Sequence, residues 1–196
     1  MQKTLILASA SSARRRVLEG AQVPFVQETS GVDEAALKTA LGDLPAGAVA
    51  QALAVAKAEA VSARRPKMWV LGADQMLECE GRLFAKPRDK AEARVQLATL
   101  RGRMHRLVNG LALLRDGTVL WRYGDEARLW MRDFPDEFLD AYLADAGPEV
   151  LESVGAYRLE GKGAQLFSRI EGDFFSILGM PLLPLLEVLR REGILA

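Results

Sequence analysis

The sequence has one cysteine, Cys79, and one histidine, His105. A lone cysteine cannot close an internal disulfide, which suits a reducing compartment and makes Cys79 a buried or incidental thiol. A lone histidine with no serine or cysteine partner in a recognisable setting leaves no nucleophile and base pair to build on, so His105 is read as structural. Net charge is also missing: 26 basic residues balance 26 acidic ones. That excludes the broad basic footprint of a protein that grips polymeric nucleic acid, while leaving room for a small anion in a locally charged pocket. No apolar run approaches a membrane span, and Thr4–Ala8 is too short for the apolar part of a signal peptide. The expectation is a cytoplasmic protein with no membrane partner. Internal repeats and low-complexity segments are absent. Gly155–Gly163 is not a phosphate-binding P-loop, because Lys162 is followed by Gly163 where serine or threonine is needed. No GxGxxG follows a strand.

What is present is ordinary for a globular enzyme: 196 residues, 49% hydrophobic and 27% charged, enough for one domain over 1–196 with two lobes at most. Thr4–Ala8 reads as a buried strand ending in serines that can cap a helix carrying Arg14 to Glu19, with Gly20 at its C-cap. Ala46–Ala63 is alanine-rich and reads as a helix, with an apolar stripe through Val49, Leu53, Ala56 and Ala60 and with Lys57 at the stripe's edge. Met68–Leu71 reads as a core strand that delivers Gly72-Ala73-Asp74-Gln75 to a loop at its end. A hairpin at Glu80-Gly81, a helix over Asp89–Leu100, strands over Leu107–Leu114 and Val119–Tyr123 joined at Asp116-Gly117, and a further strand over Arg128–Met131 follow. A helix after Pro135 buries Phe138, Leu139 and Tyr142, and Pro181–Arg191 is the last helix. Helices and strands without regular alternation give an α/β fold with a curved mixed sheet and flanking helices, in two lobes.

Several residues could carry chemistry. Ser9, Ser11 and Arg14 surround a helix N-terminus, where free N–H groups and a partial positive charge suit phosphate, although serines in that place are commonly no more than caps. Asp74 at a strand end could hold a metal or activate water; the simpler alternative is a turn aspartate. Glu34 in Val32-Asp33-Glu34 could be a second metal ligand or merely the start of a helix. Lys57 and Lys86 could neutralise phosphates, or could be an ordinary snorkelling side chain and an ordinary loop lysine.

Taken in order, these segments resemble the Maf family of nucleoside triphosphate pyrophosphatases. The resemblance rests on Ser9-Ala10-Ser11-Ser12-Ala13-Arg14, Val32-Asp33-Glu34, Leu53-Ala54-Val55-Ala56-Lys57-Ala58, Gly72-Ala73-Asp74, Lys86-Pro87, Gly102-Arg103-Met104-His105, Gly155-Ala156-Tyr157 with Glu160-Gly161, and Ile170-Glu171-Gly172-Asp173 running to Gly179-Met180-Pro181-Leu182. It implies a Maf/ITPase-like fold with two lobes around a cleft, dependence on Mg²⁺ or Mn²⁺, and cleavage of a nucleoside triphosphate between its α and β phosphates. Asp74 would be the proton acceptor, Glu34 and Asp74 the metal ligands, and Ser9, Ser11, Arg14, Lys57 and Lys86 the phosphate grip. The family is also linked to septum formation and division arrest, to the exclusion of non-standard nucleotides from nucleic acids, and commonly to homodimers. A nucleotide-binding regulator that has lost catalysis is the competing class, and the joint presence of Asp74, Glu34, Lys57 and Lys86 argues against it.

Base preference hangs on Ala13, Gln75 and Glu160. The dTTP/UTP branch of the family tends to carry threonine and glutamine where Gln75 and Glu160 stand, so the combination here looks like the 7-methyl-GTP branch. The proline common after the second serine is replaced by Ser12, and Ser153-Val154 replace the usual Lys-Ala. A carboxylate at position 160 can only accept hydrogen bonds, which suits the adjacent N–H and NH₂ donors of guanine, and a 7-methyl cation adds to the attraction.

Overall fold

A computed structural model describes residues 4–196. The chain divides into two compact units. The first comprises the residues up to Gln75, Val108–Asp125 and Asp173–Ala196; the second comprises Met76–Leu107 and Glu126–Gly172. In chain order the elements are β1 (Leu5–Leu7), α1 (Ser12–Gly20), β2 (Phe25–Gln27), α2 (Glu34–Leu41), α3 (Ala46–Ser62), β3 (Trp69–Cys79), β4 (Arg82–Phe84), α4 (Lys90–Leu100), β5 (Met104–Arg115), β6 (Thr118–Met131), α5 (Asp136–Asp145), β7 (Phe167–Glu171), α6 (Phe174–Ile177) and α7 (Leu182–Arg191). The strands pair in the order β2-β1-β3-β5-β6-β7, with β4 on β3, and both parallel and antiparallel pairs occur, so the α/β class with a mixed sheet holds.

In the first unit, β1 lies parallel to both neighbours, with Leu5 opposite Phe25 on β2 and Trp69 on β3. Alternation along these strands feeds two apolar layers. Leu5, Leu7, Leu71, Ala73, Leu111 and Leu113 pack with Val17 and Leu18 of α1 and Leu185, Val188 and Leu189 of α7. Ile6, Ala8, Val70, Ala112 and Leu114 pack with Ala54, Ala58 and Val61 of α3. The second layer is thin because two glycines let α3 come down onto the sheet. A Cβ on Gly72 would stand 1.9 Å from the carbonyl oxygen of Ala54, and one on Gly110 would stand 2.5 Å from the backbone of Ala50. Only alanine-rich helix against glycine-bearing strand closes to that distance, which explains the composition of Ala46–Ser62.

In the second unit β4 returns on β3 with Leu77 opposite Phe84, and β7 pairs with β6, Leu129 opposite Ile170, with a register shift between Trp130 and Met131. Helices α4 and α5 are joined at their surface by Arg94 and Asp140, Nε to Oδ1 2.7 Å. His105 is fully buried, and its Nε2 shares a 2.7 Å hydrogen bond with the Tyr157 hydroxyl. The rings of Tyr157 and Phe167 meet edge to face there.

Several expectations need correcting. Val119–Tyr123 and Arg128–Met131 are parts of one fourteen-residue strand, β6, whose exposed alternate residues broke the apolar pattern between them. The buried face of α3 runs through Val49, Ala50, Leu53, Ala54, Lys57, Ala58 and Val61, so Ala56 and Ala60 lie off it and Lys57 lies on it. Helix α1 is capped by Ser11 as read, but ends at Ala21 with the left-handed turn at Gln22 (φ 53°), and Gly20 stays inside the helix. On α5 the buried set is Leu139, Tyr142 and Leu143, with Phe138 only half-buried. Strands β2 and β7 have no counterpart in the sequence reading, being short or largely exposed, whereas helix α2 starts at Glu34, where the plain reading of Asp33-Glu34 as a helix start puts it. The hairpins at Glu80-Gly81 and Asp116-Gly117 form with both central residues at positive φ, as tight two-residue turns require.

Candidate active site

Asp74 is not in a loop. It sits in the middle of β3 with 5% of its surface exposed, and the strand runs on for five residues beyond it to Cys79. A buried carboxylate in a strand costs several kcal/mol unless a partner is supplied. The partner is Lys57, whose Nζ stands 2.6 Å from Asp74 Oδ1. The glycine contact accounts for the meeting: Gly72 seats α3 against β3 at Ala54, Asp74 lies two residues further along the same strand face, and Lys57 lies one helical turn beyond, with only 7% of its side chain exposed. The same ammonium holds Glu34 Oε1 at 2.8 Å, at the first turn of α2. Asp33 caps that helix through its Oδ1, 2.9 Å from the Ala36 N–H, which leaves Glu34 for Lys57. Burial works against the charge on Glu34, but the hydrogen bond and charge of Lys57, with Lys38 and Arg14 behind them, outweigh it and hold the carboxyl below the usual carboxylate range.

One oxygen of this group has no partner. Asp74 Oδ2 is buried and makes no hydrogen bond among the described residues. A buried acceptor without a donor is a marked exception in a native interior and points to something that binds there or to chemistry. No cluster of three or more His, Cys, Asp or Glu side chains suited to a metal exists among the described residues, so any cation here would be held by few protein groups.

Arg14 borders the same residues. Its Nε donates to the Gly179 carbonyl at 2.9 Å, and its Nη1 donates to the Ala73 carbonyl at 2.9 Å and to Ser9 Oγ at 3.1 Å. Burial lowers its pKa, and the negative charges of Asp74 and Glu34 oppose that shift. The guanidinium thus ties α1 to β3 and to the turn before α7. Ser9 Oγ also accepts from the Ser11 N–H at 3.2 Å, and Ser11 Oγ accepts from the Arg14 N–H at 3.3 Å as the helix cap. The bland and the functional readings of this turn are therefore both realised: the serines cap, and they do so around a buried cation. Ala13 is half-buried on the first turn of α1.

Gln75 follows Asp74 and points to the other side of the strand. Its Nε2 is 3.1 Å from Asn109 Oδ1, 3.0 Å from the Ser176 carbonyl and 3.2 Å from the Ile177 carbonyl. Asn109 and Ser176 escaped the sequence reading; the signal for Asn109 was a lone polar residue in the apolar run Leu107–Leu114, whereas Ser176 gave none. Lys86 and Glu160 belong to the second unit. Lys86 is exposed in the segment after β4, and Glu160 Oε1 accepts from Arg158 Nε at 3.1 Å.

Residues 4–192 match the family model described as Maf-like protein. The chain is 48% identical over 190 residues to a protein of Paramagnetospirillum magneticum named nucleoside triphosphate pyrophosphatase, covering 96% of this chain and 98% of that one. It is 50% identical over 190 residues to a protein of the same name from Granulibacter bethesdensis, with 96% of each covered. A protein of Rhizobium etli named 7-methyl-GTP pyrophosphatase is 46% identical over 195 residues, with 98% of each covered. A family match over nearly all of the chain, on top of a buried Lys57–Asp74 pair that also engages Glu34, makes this protein a member of the Maf family.

Proposed function

We propose that the protein hydrolyses a nucleoside triphosphate to the monophosphate and pyrophosphate, with Asp74 as the proton acceptor. The observation that carries this reading is the unpartnered Oδ2 of Asp74, buried while its other oxygen is held by Lys57. A carboxylate fixed in that way has one oxygen oriented by the protein and one open to a proton. In the step proposed, water oxygen bonds to the α phosphorus as the bridging bond to the β phosphate breaks. The water proton passes to Asp74 Oδ2, and pyrophosphate leaves with the bonding pair. Lys57 holds the acceptor in place and offsets negative charge as it accumulates.

The donor set fits a hard divalent cation such as Mg²⁺ or Mn²⁺, which takes one or two carboxylates and fills its other positions with water and phosphate oxygens. Glu34 and Asp74 would hold it, and bound there it would supply positive charge for the triphosphate. Arg14 brings a buried positive charge whose Nε and Nη1 already serve the protein, so Nη2 is the nitrogen assigned to phosphate; Ser9 and Ser11 complete the proposed grip in the first unit, and Lys86 of the second unit is assigned to phosphate on the family resemblance alone. For the base, Ala13, Gln75 and Glu160 are the assigned readers, and guanine of the 7-methyl type is the substrate favoured. Support comes from the acceptor character of Gln75 and Glu160 and from the relatives that carry that name. Hydrolysis of such a nucleotide would keep it out of nucleic acids.

Pyrophosphate release from 7-methyl-GTP, GTP, UTP and dTTP with Mg²⁺, repeated after chelation, tests the proposal. Release from at least one nucleotide and its loss on chelation are expected. No release from any of the four would overturn the reaction; release led by UTP or dTTP would overturn the guanine assignment alone.

A further inference from the structure

Asn109 is 1% exposed, and a buried amide must find partners for its NH₂ and its carbonyl or lose stability. Its surroundings allow only one orientation. Asn109 Nδ2 is 2.9 Å from Asp125 Oδ1 and 2.9 Å from the Ser176 carbonyl oxygen. An ionised carboxylate and a carbonyl both accept and never donate, so turning the amide round would press its oxygen against two acceptors. With Nδ2 fixed, Asn109 Oδ1 faces Gln75 and accepts from its Nε2 at 3.1 Å. The carbonyls of Ser176 and Ile177 draw on the same Gln75 nitrogen. Two N–H bonds therefore face three acceptors, and what Gln75 has left to offer a ligand is Oε1, an acceptor. The far end of the chain is also anchored: Asp125 Oδ2 accepts from Ser176 Oγ, and the Ser176 N–H is capped by Asp173 Oδ1 at 3.0 Å. Every residue in this relay lies within the first unit.

We propose that Asn109 and Asp125 are positioning residues for specificity, which fix Gln75 as an acceptor-only reader of the nucleotide base. This rests on the assignment of Gln75 to the base made above. A glutamine free to turn would present either NH₂ or C=O and could serve guanine, uracil and thymine alike. Held with its nitrogen inward, it favours an edge with neighbouring N–H and NH₂ donors, and it opposes a pyrimidine edge whose single N–H is flanked by carbonyls. The device uses an acidic group that need not touch substrate to set which way a polar reader faces.

The test is a double-variant cycle read as the ratio of kcat/KM for 7-methyl-GTP to that for UTP. Gln75→Met removes the reader at similar volume, and Asn109→Leu removes its orienting partner. Each should lower the ratio, by about five-fold for the loss of one well-directed hydrogen bond. In the Gln75→Met background Asn109→Leu should change the ratio no further, because Asn109 acts through Gln75. Asp125→Asn lets the relay reverse with little change in shape and should lower the ratio in the same direction, which keeps the idea testable if Asn109→Leu folds poorly. A purely structural Asn109 would depress both substrates alike and leave the ratio where it was, and that result overturns the proposal. If the wild type releases no pyrophosphate, the proposed reaction fails. If Gln75→Met moves the ratio while both Asn109→Leu and Asp125→Asn leave it fixed, only the relay fails.

Discussion

Lys57 is buried between two carboxylates, Asp74 and Glu34, and is the residue on which the electrostatics of the group turn. Removing one member of a buried ion pair leaves the other charge uncompensated, which costs more than the pair contributed. Lys57→Met should therefore destabilise the protein by about 3–5 kcal/mol in chemical denaturation. It should also raise the pKa of Glu34, since burial opposes that charge and Lys57 is the chief reason the carboxyl titrates low; an NMR titration of Glu34 that stayed put would contradict this account. Asp74→Asn keeps shape and removes the proton acceptor. It should lower turnover by about 10²–10⁴-fold while nucleotide binding largely persists, and a variant keeping more than about a tenth of wild-type turnover would exclude that role.

At the scale of elements, Gly72 and Gly110 decide whether α3 can lie close enough to the sheet for Lys57 to meet Asp74. Gly72→Ala and Gly110→Ala each push a methyl into backbone of α3 and should cost at least about 2–3 kcal/mol, with activity falling in the protein that still folds. Gly20→Ala is the contrast. No described residue lies within 4 Å of a Cβ there, and the site is helical, so stability should hold or rise by up to about 1 kcal/mol. Equal melting temperatures for Gly20→Ala and Gly72→Ala would remove the close-packing argument. These glycines also mark where sequence reasoning stopped. The helix at Ala46–Ser62, both tight hairpins and the capping serine were legible because periodicity, glycine and serine act locally. Charge argues against burial, so the sequence alone puts Asp74 at a strand end, and the strand extends past it only because Lys57, seventeen residues earlier, arrives beside it. The residues that hold Gln75 come from β5 and α6, and no local pattern announces a meeting across such separations.

At the scale of the whole molecule, 26 basic residues balance 26 acidic ones near neutral pH, so above the range where carboxylates titrate the pH dependence of stability falls on particular buried groups instead of general repulsion. His105 is fully enclosed: Nε2 faces the Tyr157 hydroxyl, Nδ1 has no partner among the described residues, and burial lowers its pKa from 6.5 to about 4. The unfolded chain thus takes up a proton on His105 near pH 6.5, while the folded chain resists until about pH 4. Stability from this group is complete above pH 6.5, falls as pH drops through that window, and is gone below about 4. At about 1.4 kcal/mol per pH unit the loss amounts to roughly 2–4 kcal/mol. Carboxylates held low by lysine and arginine, Glu34 among them, lose their contribution only on acidification below their unfolded pKa near 4.5, so the two effects separate on the pH axis. His105→Gln is uncharged at every pH and sits against the same hydroxyl. Its unfolding free energy, from urea titrations at pH 7.5, 6.5, 5.5 and 5.0, should start below wild type through imperfect packing, yet decline with a shallower slope toward pH 5. Parallel slopes for the two proteins would show that His105 titrates alike in folded and unfolded chains, against the complete enclosure that its position beside Tyr157 and Phe167 implies.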